Sequence, residues 1–86
     1  MKAKDPTMNL PLLGEQLRSA REQRFPTDTM NAFALRIGVA RATLQKMEKG
    51  DLTVSLGSYY AAAKILQLTA IFEQLFILEA SLFDDE

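Results

Sequence analysis

An all-α domain is the fold class that this sequence predicts, on three observations. Apolar residues recur at spacings of three and four nearly throughout, glycine is scarce and two of the four, Gly38 and Gly50, sit where such patterns end, and no internal repeat or low-complexity segment interrupts them. With 86 residues, 48% of them apolar and 24% charged, the chain forms one domain rather than a disordered tail. A chain this short buries only about 60 to 65% of the surface its unfolded form exposes, so its stability is modest unless a partner adds buried surface.

The elements follow in order. Residues 1–11 read as a tail. Leu13, Leu17 and Ala20, with the stem of Arg24, give a first helix from about Leu12 to Arg24, and Pro26 bars its continuation. Thr27, Asp28 and Thr29 offer N-caps. Met30, Phe33, Ala34 and Ile37 then follow the amphipathic pattern of a second helix of about eight residues, ended by Gly38. A third short helix follows Gly38-Val39, with Leu44 and Met47 inward, and Gly50 closes it. Ser55 or Thr53 caps a fourth, on which Leu56, Tyr59 or Tyr60, Ala63 and Leu66 face the core. Thr69 is placed to cap a fifth.

Composition excludes much chemistry. The chain has no cysteine and no histidine, which removes disulfides, thiolates, the usual general base and the commonest metal ligand. An enzyme is therefore not expected, nor any cofactor or metal. The N-terminal MKAKDPTMN has no apolar run behind its lysines, and no stretch reaches the ~18 apolar residues of a membrane helix. The expectation is a cytoplasmic protein with no membrane partner.

The formal net charge is -1, yet charge is unevenly distributed. From Arg18 to Asp51 there are seven bases (Arg18, Arg21, Arg24, Arg36, Arg41, Lys46, Lys49) against four acids (Glu22, Asp28, Glu48, Asp51). From Glu73 to Glu86 there are five acids and no base. The local field of one face steers binding, so a slightly acidic chain can still meet an anionic partner. The third helix gives that charge a purpose. An α-helix fits the major groove of B-DNA, and a short one braced across a glycine turn can present its outer face to base edges. Arg41 and Lys46 can donate to guanine, Gln45 can pair with adenine, and Ala42 can touch a thymine methyl. Thr29, Thr43, Arg36 and Lys49 are the candidates for phosphate contacts, helped by the N-termini of helices two and three. The plainer reading of the same residues is a solvated face.

The residues from Thr29 to Gly50, T-M-N-A-F-A-L-R-I-G-V-A-R-A-T-L-Q-K-M-E-K-G, resemble the helix-turn-helix of the Xre family, the group that includes the lambda Cro repressor. The spacing of Ala34, Gly38, Val39, Arg41, Thr43, Leu44, Glu48 and Gly50 carries the resemblance. The run L-G-E-Q-L-R-S-A-R-E-Q-R is similar to the family's first helix and T-V-S-L-G-S-Y-Y-A-A-A-K-I-L-Q-L to its fourth, so the likeness covers roughly Leu13 to Phe76. It implies a compact five-helix, lambda-repressor-like domain over residues 12–69 whose third helix enters the major groove of double-stranded DNA. It also implies a structural ion pair between Arg21 and Glu48, which removes both from the base contacts. Two positions depart from the family pattern: Met30 stands where a glutamine usually touches phosphate, and Ala40 where a serine or threonine usually caps the third helix. Asn31 is the expected substitute for the first. The Phe25-Pro26-Thr27 region is also slightly long for the family.

Residues 70–86 read as a dimerisation segment with an acidic tail. Ile71, Leu75, Leu78 and Leu82 make one stripe of a last helix, and Phe72, Phe76 and Phe83 a second beside it; a strand over Leu75 to Leu82 is the alternative. A small domain can bury one stripe, and a second left in water marks an interface, so a homodimer is expected. A two-fold dimer sets two recognition helices about 34 Å apart and reads a palindrome. The simplest function is a transcriptional repressor that occludes a promoter. A second class is a HipB-like antitoxin, which the resemblance of T-V-S-L-G-S-Y suggests and whose acidic tail would touch a basic toxin. A third is a protein-interaction domain that does not bind DNA.

Overall fold

The computed structural model describes residues 8–78. Over them run five helices: α1 (Pro11–Arg24), α2 (Met30–Ile37), α3 (Arg41–Met47), α4 (Leu56–Leu66) and α5 (Ala70–Glu73). Among the described residues there is no strand, only an isolated antiparallel bridge between Asn9 and Asp51. No helix among them is long and apolar enough to cross a membrane.

Local chemistry sets the boundaries. Pro11 opens α1, where its fixed φ suits the first turn and its missing N–H costs nothing. The Thr29 side chain accepts from the Ala32 amide at 3.1 Å and caps α2, and Ser55 Oγ accepts from the Ser58 amide at 3.1 Å and caps α4. Three helices end in the same hydrogen-bonded device. Gly38 (φ 77°), Gly50 (φ 77°) and Gln67 (φ 62°) each adopt the left-handed conformation just past α2, α3 and α4. The following amides of Val39, Asp51 and Leu68 reach back to the carbonyls of Ala34 (3.0 Å), Lys46 (3.1 Å) and Ala63 (2.8 Å). That reach-back satisfies the last free carbonyls of each helix. Two of the three positions carry glycine; Gln67 tolerates the strain and its side chain accepts from Arg24 at 3.1 Å.

The core lies between α2, α3 and α4. Phe33, Leu44 and Met47 are fully buried, with Ala34, Ile37, Tyr59, Ala62 and Leu66 around them and Leu17, Ala20 and Val39 packed against them. Tyr59 rather than Tyr60 faces inward, and its hydroxyl donates to the Asp51 carbonyl at 2.6 Å. Loss of water and the nearby Asp51 charge both push its hydroxyl above the ordinary tyrosine pKa.

Four sequence expectations need correction. Leu13 and Leu56, expected on inner faces, are 39% and 60% exposed and line an open groove instead. Thr69 precedes α5 without a side-chain capping bond. The long last helix does not form among the described residues: α5 ends at Glu73, the chain turns through Gln74 to Phe76, and neither two helical stripes nor a strand extends to Leu78. Of the four residues of α5 Phe72 alone packs on the core, and a helix this short depends on tertiary packing to propagate. Leu82 and Phe83, expected in the same stripes, lie outside the described residues.

The N-terminal end of α1 and the exit of α3 interlock. The Leu10 amide donates to the Gly50 carbonyl at 2.8 Å and the Leu52 amide to the Met8 carbonyl at 2.7 Å. A Cβ on Gly14 would fall on the Glu48 carbonyl and lie 2.5 Å from the Gly50 nitrogen. A Cβ on Gly50 would fall on the Leu10 carbonyl. Gly14 sits inside a helix, where alanine is the better former by about 1 kcal/mol. A backbone clash of this kind costs about 1 to 3 kcal/mol or more, so packing outweighs propensity. Gly14→Ala is expected to destabilise the domain by about 2 kcal/mol in urea unfolding; a stabilised variant would show that the contact is looser than described.

Candidate nucleic-acid interface

The surface proposed from sequence is built on α3. Leu44 and Met47 anchor its inner side in the core, and Val39 packs beside them from the turn after α2. With a period of 3.6 residues, that anchoring leaves Arg41, Ala42, Gln45 and Lys46 outward, and all four are exposed. They form a patch of two cations, one amide and one methyl. Lys49, just past the helix, is also exposed, and Thr43 is half-buried. Ala40 stands in the extended conformation of an N-cap but makes no side-chain capping bond.

α2 supplies the flank. Asn31 is exposed. The Thr29 hydroxyl oxygen is engaged by the Ala32 amide, leaving its O–H to donate. Arg36, expected to add charge there, is instead held by Asp28: its Nε donates to Oδ2 at 2.6 Å and its Nη2 to Oδ1 at 3.2 Å. The same guanidinium lies over the Phe25 ring, 4.1 Å from its centroid. The hydrogen bond from Arg36 holds the Asp28 carboxyl below the ordinary aspartate value, and Arg36 is raised in turn by its bond to Asp28. Sequence reading missed this pair, which ties the loop between α1 and α2 back to α2; its only sequence signal is an aspartate eight residues before an arginine.

Arg21 and Glu48 meet where α3 ends. Arg21 Nε donates to Glu48 Oε2 at 2.6 Å and Nη2 to Oε1 at 3.2 Å, with side chains 9% and 8% exposed. The two-point bond joins the last turn of α1 to the C-cap of α3. It holds the Arg21 pKa above the usual arginine value despite burial. Arg18, by contrast, pairs with Glu22 on an open helix face at 3.2 Å, a contact worth little.

The apolar residues expected to form a dimer contact divide in two. Phe72 is half-buried, packed on the core and edge-on to Tyr60 at 5.4 Å. Ile71, Leu75, Phe76 and Leu78 are exposed.

Two outcomes follow from these pairs. Replacing Arg21 with methionine leaves a buried carboxylate unpaired and is expected to lower unfolding stability by about 3 kcal/mol, whereas Arg21→Met with Glu48→Leu recovers most of it. A double variant as unstable as the single one would contradict that. Replacing Arg36 with glutamine is expected to raise the Asp28 titration midpoint toward the ordinary value in an NMR pH titration. Because the folded-state pKa of Asp28 is depressed, its stabilisation is present above the unfolded-state pKa and fades as pH falls through the folded-state value. The stability difference between wild type and Arg36→Gln should therefore be full at neutral pH and close in acid.

Comparison of the chain with protein-family models, with curated proteins and with solved structures found no match, so the functional reading rests on the residues described above.

Proposed function

We propose that the chain is a sequence-specific DNA-binding repressor of the Xre type, with a lambda-repressor-like helix-turn-helix made by α2 and α3, acting as a homodimer on a palindromic operator. The observation that carries this reading is the orientation of α3. Its two large apolar residues are fully buried, and its arginine, glutamine and lysine are exposed together on the opposite side. Those side-chain types match the donor and acceptor pattern of the major groove. The left-handed Gly38 allows the short turn that braces α3 against α2, and the Arg21–Glu48 pair supports its far end.

In this reading Arg41 and Lys46 donate to guanine O6 and N7, Gln45 bonds an adenine edge, and Ala42 permits close approach. Lys49, Asn31 and Thr43 contact phosphates and set the register without reading sequence. Arg36 orders the loop before α2 through Asp28 and contributes little free charge. Two copies bound across a two-fold axis would occlude a promoter, which needs neither a catalytic group nor a cofactor.

The test is a gel shift on DNA upstream of the chain's own coding region, repeated over a salt series. Binding should weaken linearly in log affinity against log salt. Arg41→Ala with Lys46→Ala should reduce affinity by about 100-fold, while Lys49→Gln should weaken all sequences alike and lower the salt slope by about 1. Unchanged binding by the double variant would overturn the assignment of α3 as the reading helix.

A further inference from the structure

An apolar groove of about 380 Å³ opens between α1, α4 and α5. Leu13 and Leu17 line it from α1, Leu56 and Ala63 from α4, and Phe72 and Leu75 from α5 and the turn that follows. Gln16 is the one amide among its lining residues, and the Tyr59 hydroxyl beside it is already bonded to Asp51. Such a surface offers nothing to a charged ligand and repels ordered water. No residue of α2 or α3 lines it, so whatever fills it leaves the α3 face open.

The same chain carries the matching projection. Past Leu75, Phe76, Ile77 and Leu78 are 90%, 64% and 78% exposed. This prong begins at the edge of the groove yet is not seated in it, because its own side chains face water. Together with the exposed leucines of the groove it presents on the order of 800 Å² of apolar surface, taking roughly 150 to 200 Å² for a fully exposed large side chain. That is above the roughly 300 to 600 Å² of a typical monomer's largest apolar patch and close to one partner's share of a standard interface. A two-fold contact requires one patch to complement itself, and a groove beside a prong meets that requirement when two copies exchange prongs.

We infer that two copies associate by reciprocal insertion, the Phe76–Leu78 prong of each entering the α1/α4 groove of the other. This deepens the homodimer part of the proposed function and rests on it; the DNA-reading role of α3 stands or falls separately by the gel shift.

The experiment is sedimentation equilibrium on the full chain at tens of micromolar, with Leu56→Glu altering the groove and Ile77→Asp altering the prong. Both positions are exposed, so both variants should keep the wild-type helical signal; if one does not, Leu56→Gln or Ile77→Asn replaces it. Wild type should be a dimer, and each variant alone should dissociate at least about 30-fold more readily. An equal mixture of the two variants keeps one intact groove facing one intact prong, and should associate about 10-fold or more tightly than either variant by itself. A wild-type dimer without rescue in the mixture overturns prong exchange while leaving a homodimer by another surface. A wild-type monomer, or a monomer that native mass spectrometry shows holding a small apolar molecule, overturns the inference and the homodimer together.

Discussion

The exit of α3 is pressed onto α1 at a distance that excludes any side chain at Gly14 or Gly50, and the orientation of the whole helix depends on that contact. A seven-residue helix cannot hold itself in water, since nucleation is costly and few bonds follow it. α3 is instead fixed at three points: the Gly38 turn at its start, Leu44 and Met47 in the core, and the backbone interlock with α1 at its end. The Arg21–Glu48 pair crosses the same junction, and the segment before α1 adds backbone bonds from residues 8 and 10 to residues 52 and 50.

This arrangement separates the charges that stabilise the domain from those left on its outer surface. The charges that hold the domain together, Arg21 with Glu48 and Arg36 with Asp28, are consumed within it. Those on the outer side of α3, Arg41 and Lys46, remain turned toward solvent. The apolar surface is divided in the same way, with one part closed between α2, α3 and α4 and another left open between α1, α4 and α5. The α3 patch and the open groove thus lie on different elements, so contacts made by one need not obstruct the other.

What was legible in the sequence follows from physical range. The ends of α2 and α3 could be read because Gly38 and Gly50 mark them locally, and the core positions Phe33, Ala34, Ile37, Leu44 and Met47 because helical period is a local signal. Gly14 could not be read, since its need arises from backbone 34 residues away that only the folded chain brings near. The face of α1 and α4 was readable, but not whether anything stood opposite it, and so Leu13 and Leu56 were expected in a core that stops short of them. The end of α5 at Glu73 carries no glycine or proline signal; a strongly apolar continuation reads as helix whether or not it has something to pack on.

The central claim is that the outward residues of α3 read base edges as a two-fold pair. Selection of bound sites from random double-stranded DNA tests it most directly. The account predicts enrichment of a palindrome whose half-sites lie about one helical turn, roughly 34 Å, apart, with guanine and adenine at the positions facing Arg41 and Gln45. Enrichment of no sequence, or of a site without two-fold symmetry, would contradict it.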